Sequence, residues 1–173
     1  MPVTIETIKE HAATLEWKFE TNDENPNVIT FGFATQNYVD KDGDKYIFLV
    51  CRVSEEGDYI TVYAPMAENL TKCRFKGAVL AAAGEIMLNT RHTQIEYDPK
   101  DGEIRVAVDI PVCDSVITAK QLFRMVDNII CISDIYQPVM RHAMETGQVD
   151  MLKRWSPPEN EEKDESKPEA AKS

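Results

Sequence analysis

The sequence predicts an α+β domain, a mostly antiparallel five-stranded sheet with helices packed on it, in the order α-β-β-β-α-β-β-α. Three observations predict it. Apolar residues recur at helical spacing in three stretches, and they follow the period-two pattern of strands in five others. The strands come in runs of three and two, set between helices, rather than alternating strictly with them.

The first helix is read from Ile5, Ile8, Ala12, Leu15 and Phe19, with Thr4 as its N-cap after Pro2. The stretch 21–27, ThrAsnAspGluAsnProAsn, ends regular structure. In the first strand Ile29, Phe31 and Phe33 alternate with Thr30, Gly32 and Ala34. A turn with Asp40, Asp42, Gly43 and Asp44 follows. The second strand, 45–53, is apolar on both faces: Ile47, Leu49, Cys51 and Val53 against Tyr46, Phe48 and Val50. That pattern implies a strand covered on both sides or central in its sheet. The third strand, 59–66, ends near Pro65, which cannot donate to a ladder.

Asn69 or Thr71 can cap the second helix, which is expected to run to about Leu88. One stripe is bulky (Phe75, Val79, Ala82 or Ala83, Ile86). Another is small: Cys73, Gly77, Ala81 and Gly84. Glycine inside a helix costs up to about 1 kcal/mol relative to alanine. Two of them on one stripe imply close approach by another backbone, either the sheet of the same chain or a second chain. Ile95 and Tyr97, the turn 98–102, and Ile104, Val106, Val108 and Ile110 read as a hairpin. The last helix opens with Thr118 and Gln121 in a capping box. It carries Leu122, Val126, Ile129, Ser133, Tyr136 and Met140 at helical spacing, is expected to kink or break at Pro138, and ends at Gly147.

The 173 residues carry 30 acids against 19 Lys and Arg, a net charge of −11. Residues 1–155 are expected to form one domain. Residues 156–173 hold three prolines, six acids, three lysines and no large apolar residue, the composition of a disordered tail. Trp155 at the junction is read as packing back on the domain. The acidic balance excludes sequence-independent nucleic-acid binding and attraction to an anionic membrane surface. The first residues lack the pattern of a secretory signal, no run approaches the ~20 apolar residues of a membrane span, and the four separated cysteines suit reduced thiols. The expected compartment is the cytoplasm.

The search for chemistry is mostly negative. Asp40–Asp44 mimics the start of a calcium loop, but positions 6 and 12 hold Lys45 and Cys51 where glycine and glutamate are required, so it reads as a turn. His11, His92 and His142 belong to no metal or catalytic spacing. Gly77–Gly84 is not a phosphate loop, because it lies inside a helix. No catalytic, metal or cofactor site is expected, and what remains is protein binding. Cys73, Gly77, Ala81 and Gly84 are the candidate interface, with packing on the chain's own sheet and a homodimer contact both open. The alternatives are a regulator holding a small apolar ligand between helix and sheet, and an uncharacterised enzyme.

Certain segments carry a resemblance. They are IleThrPheGlyPhe at 29–33 with its AspGlyAsp turn, GlyGluIleMetLeuAsn at 84–89, the TyrAspProLysAspGlyGluIle hairpin at 97–104, and SerAspIleTyrGlnPro at 133–138. Together they resemble the YbjN family, which shares its fold with the chaperones of type III secretion effectors. Ser133 and Gln137 depart from the A-D-x-x-Y-P ending of that family. The resemblance covers about residues 5–150. It implies a small unit, often dimeric, that binds other polypeptides or acts in regulation, and it transfers no catalytic residue.

Overall fold

The computed structural model describes residues 2–113 and 115–157. The tail assigned to 156–173 lies outside the described residues from position 158 onward. The domain is α+β, with six strands rather than five and the order α1 (Ile5–Thr14), β1 (Phe19–Thr21), β2 (Val28–Ala34), β3 (Tyr46–Ser54), β4 (Tyr59–Asn69), α2 (Lys76–Asn89), β5 (Gln94–Tyr97), β6 (Glu103–Pro111) and α3 (Ala119–Thr146). The sheet runs β1-β2-β3-β4-β6-β5 and every pairing is antiparallel.

The extra strand follows from where α1 stops. Trp17 N–H donates to Ala12 O and Glu16 N–H to Ala13 O, with Glu16 at φ 58, a left-handed helix end in which glutamate stands where glycine is usual. Phe19, which looks like the next residue of the helical stripe, therefore starts β1 and pairs with Phe31. Trp17 stands edge-on to Phe31 and Phe33 at centroid distances of 5.5 and 5.1 Å and locks this turn onto β2.

Pro65 does not end β4. Between the pairs Ala64↔Val106 and Glu68↔Ile104, β4 holds three residues where β6 holds one. This bulge accommodates the proline, and Met66 within it sits at φ 52. The second helix starts at Lys76, beyond both cap candidates, seven residues after Asn69 and five after Thr71, because residues 71–75 form a turn.

Helix α3 continues through Pro138. Proline removes the N–H that would bond the carbonyl of Asp134, and Asn37 Nδ2 donates to that oxygen instead at 2.9 Å. The capping box at Thr118 and the Gly147 end, at φ 75, form as the sequence implies.

One core lies between the helices and one face of the sheet. It joins Ile8 of α1, Val79 and Ile86 of α2, and Leu122 and Ile129 of α3 with Ile29, Phe31, Leu49, Cys51, Ile60, Val62, Ile104 and Val106. The buried apolar residues of all three helices join this cluster, so the helices form one layer and, among the described residues, the opposite sheet face has none.

Candidate functional site

The bare face explains why β3 is apolar on both sides. Ile47, Leu49, Cys51 and Val53 point into the core, whereas Tyr46 and Phe48 are each 45 % exposed. β3 is central, between β2 and β4, but it is covered on one side only. An antiparallel sheet can leave one face to water, and that face is then ordinarily polar. Here Tyr46, Phe48, Val50 and Tyr63 form an apolar stripe across β3 and β4. Val50 pairs with Tyr63, and Tyr63 pairs with Ala107 on β6. Val50 and Ala107 are buried yet lie outside the core cluster, screened by their larger neighbours on the open face. The Arg105 guanidinium lies 5.5 Å from the Tyr63 ring centre and pairs with Glu96 at 3.1 Å, which closes the stripe on the β6 side.

Gly32 on β2 makes room for this stripe. A Cβ there would lie 1.3 Å from Tyr46 Oη, so the phenol lies across the glycine. β1 pairs only with Ile29–Phe31, which leaves Gly32–Ala34 of β2 without a neighbour on the outer side. A shallow hollow of about 920 Å³ opens at this step, bordered by Trp17, Glu20, Thr30, Gly32, Tyr46 and Phe48. Unpaired backbone and an aromatic wall thus meet in one place.

The stripe of small residues is only partly as expected. Gly77, Ala81 and Gly84 lie on the exposed side of α2, and a Cβ on either glycine would meet nothing beyond its own helical turn within 4 Å among the described residues. The sheet of the same chain therefore does not approach them. Cys73 belongs to the turn before the helix and is half-buried, its Sγ 4.0 Å from Met144 O. The same outward side carries Leu80 (40 % exposed), Met87 (38 %) and Leu88 (85 %). With Val79, Ala82, Ala83 and Ile86 buried on the inner side, α2 carries large apolar side chains on both its inner and its outer side, with Lys76, Glu85 and Asn89 its polar exceptions. Such a helix is ordinarily buried all round.

A buried polar cluster fixes the loop between β2 and β3. The Asp134 carboxylate accepts the backbone N–H groups of Gln36, Asn37 and Tyr38 at 3.2, 2.9 and 2.7 Å. Gln137 accepts from Val39 N–H and donates to Val39 O, and Arg141 donates to Val39 O and to Glu68 at 3.0 Å. Burial, and then the negative charges of Glu68 and Asp40, push the Tyr38 phenol from 10.0 up to about 12. Asp134, Gln137 and Arg141 all bond the loop, and Glu68 braces Gln137 and Arg141, which marks the cluster as architecture. No local periodicity announces it.

The core cavity bounded by Tyr38, Ile86, Ile132, Ser133, Tyr136 and Met140 holds about 30 Å³. That is room for about one or two waters, far below the roughly 300–1,000 Å³ of small-molecule sites. It does not serve the ligand-binding alternative. Asp40 Oδ1 accepts the N–H groups of Asp42 and Asp44, so the acidic segment is a self-bonded turn. His11 Nε2–H donates to Ile117 O at 2.8 Å and ties α1 to the start of α3. Among the described residues no three His, Cys, Asp or Glu side chains converge on a metal position, and no helix is long and apolar enough to cross a membrane. All four cysteines are free, and burial raises the Cys51 thiol from 9.0 to about 12.

No family model matches the chain, and no curated protein matches it. Solved structures do. The chain is similar to YbjN from E. coli, with TM-score 0.55 and 14% identity over 76% of this chain and 89% of that one. It is similar to a chain of the ExsC–ExsE complex, with TM-score 0.53 and 10% identity over 81% and 97%. The HopA1–SchA chaperone–effector complex gives 0.48 and 14% over 83% and 99%. The likeness establishes a shared fold with YbjN and the ExsC–ExsE chain, as the sequence resemblance implies.

Proposed function

We propose that the protein is a non-enzymatic polypeptide-binding module, chaperone-like or adaptor-like, that acts as a homodimer in the cytoplasm. The observation that carries this reading is the bare apolar stripe Tyr46–Phe48–Val50–Tyr63 beside the unpaired stretch Gly32–Ala34 of β2. An extended partner segment laid there would gain main-chain hydrogen bonds from the free strand edge. Alternate side chains would gain apolar contact from the stripe. The similarity to a chain solved in the ExsC–ExsE complex supports a protein partner.

The dimer contact is the outer side of α2. Gly77, Ala81 and Gly84 let a second helix approach closely, Leu80, Met87 and Leu88 supply the buried area, and Cys73 stands at the margin. Two substitutions test the two surfaces separately. Ala81→Arg should shift the sedimenting mass from dimer to monomer with the circular dichroism unchanged, and an unchanged mass removes α2 as the contact. Phe48→Asp should abolish retention of peptides selected on the wild-type protein from a random displayed library while leaving the mass alone. Retention by Phe48→Asp equal to wild type sinks the sheet-face site.

A further inference from the structure

The outer edge of β6 is open along part of its length. β5 reaches only as far as the pair Gln94↔Ala107, and the chain before it turns at His92, which stands at φ 56. Among the described residues no strand lies beside 108–111 on that side. Backbone groups along an antiparallel strand face its two edges alternately. Val112 N–H donates to Asp58 O at 2.7 Å on the β4 side, and Asp98 N–H donates to Glu103 O at 2.9 Å on the β5 side. The odd-numbered residues of β6 therefore turn their backbone groups toward β5. Past Ala107 these are Asp109, with an N–H and a C=O, and Pro111, with a C=O alone.

A groove of about 290 Å³ runs beside this edge, between β6 and the start of α3. Val108, Ile110 and Met125 give it an apolar floor, and His92, Lys120 and Arg124 stand around it. Among the described residues no acid lines it, in a chain of net charge −11. Arg124 has a loose ion pair with Asp127 at 3.7 Å, yet its side chain stays 67% exposed. The carboxylate of Asp109 is out of step with Val108 and Ile110 and points to the opposite sheet face, where its strand partner is Thr61.

The register of an added strand follows from these positions. The residue that bonds to Asp109 puts its own side chain on the open sheet face. Its two neighbours point into the groove, one against Val108 and one against Ile110. Lys120 and Arg124 lie one turn apart on α3, within reach of both.

We infer that this groove binds an extended segment of a partner protein in which a large apolar residue and a carboxylate stand two positions apart. The apolar side chain rests on the floor, the carboxylate meets Lys120 or Arg124, and the backbone bonds to Asp109. The floor and the free strand edge favour a polypeptide over a nucleic acid, which the net charge repels. This site is separate from the one at the β2 edge.

The test uses the full chain and two short labelled peptides. One alternates threonine with glutamate, leucine and glutamate in turn, and the other carries lysine in place of glutamate. By fluorescence anisotropy the glutamate peptide should bind about tenfold more tightly than the lysine peptide, and about 1 M NaCl should erase the difference. Lys120→Glu with Arg124→Glu, both exposed positions, should reverse the preference. N-methylation of the threonine amides should abolish binding. In nuclear magnetic resonance the Asp109 amide should shift on adding the glutamate peptide, in wild type and in Phe48→Asp alike. No binding up to about 1 mM, equal affinity for the two peptides, or a preference that survives the charge reversal overturns the inference. So does an Asp109 amide already protected from hydrogen exchange in the free protein, which would mean that the edge is taken. A single-stranded oligonucleotide that binds better than the glutamate peptide would overturn it too.

Discussion

The carboxylate of Asp134, buried in the middle of α3, accepts the backbone N–H of Tyr38 at 2.7 Å, across 96 positions of sequence. Gln36 and Asn37 donate to the same carboxylate. One side chain thus satisfies three backbone donors of a loop that has no ladder of its own. It also sets the level of β3, and with it the height at which Tyr46 and Phe48 stand on the open face.

Asp134→Ala should lower unfolding stability by about 2–4 kcal/mol in urea titration, because three partly buried N–H groups lose their acceptor. Asp134→Asn should cost about half as much, since one oxygen can still accept from Asn37 and Tyr38. Equal losses for the two variants would show that the charge, and not the acceptor geometry, holds the loop.

Alkaline stability should fall in a defined window. Burial favours the protonated forms of Cys51 and Tyr38, so their folded pKa values rise from 9.0 and 10.0 to about 12. The folded state then holds these protons more tightly than the unfolded state. The resulting stability is fully present below about pH 9 and is lost as the pH climbs toward 12. Tyr38→Phe should flatten the urea midpoint between pH 10 and 12, removing a dependence of roughly 2 kcal/mol. A midpoint that falls equally steeply in Tyr38→Phe would assign the loss to another group.

Thiol reactivity should rank by position. Cys51 is fully buried and should resist a disulfide reagent until the protein unfolds. Cys113 and Cys131 are both exposed, but burial of the sulfur and the neighbouring Asp127 push the Cys131 thiol upward. Near neutral pH, Cys113 should therefore react before Cys131, as peptide mapping of a timed reaction would show. The reverse order would mean that access, not thiolate fraction, governs the rate.

Gly84→Ala separates helix propensity from helix contact. Among the described residues nothing outside its own helical turn lies within 4 Å of the added Cβ, so monomer stability should rise, by up to about 1 kcal/mol. If α2 packs on α2 of a second copy, the methyl should weaken the dimer, read as a higher dissociation constant by sedimentation. A stabilised monomer with an unchanged dimer would move the contact elsewhere.

Gly32→Ala should act on the open face alone. The new methyl would collide with the end of the Tyr46 side chain, which can swing away, so the stability cost should stay below about 1 kcal/mol. The stripe would lose its outer member, and peptide retention should fall with it. Unchanged retention would confine the docking surface to Phe48 and Tyr63.

Much of the fold is legible in the chain because periodicity is local. The alternation of Ile104, Val106 and Val108 places those residues in the core whatever their neighbours do. Thr118 with Gln121, and Gly147, mark the ends of α3 by chemistry that acts within one turn. The sixth strand is hidden because α1 ends on Glu16 in a left-handed conformation, with no glycine to signal it. The open-face stripe is half legible. Tyr46, Phe48 and Val50 declare a strand without a polar side, but the same pattern fits a strand buried on both faces.

The sequence by itself determined the α+β class, the helix caps and the residues that point inward, since each depends on neighbours a few positions away. Only the tertiary structure decided which sheet face stays bare, that Gly77 and Gly84 look outward, and that Asp134 anchors a loop nearly a hundred residues earlier. Those outcomes depend on where all three helices come to rest. A single layer of helices can cover only one side of a sheet.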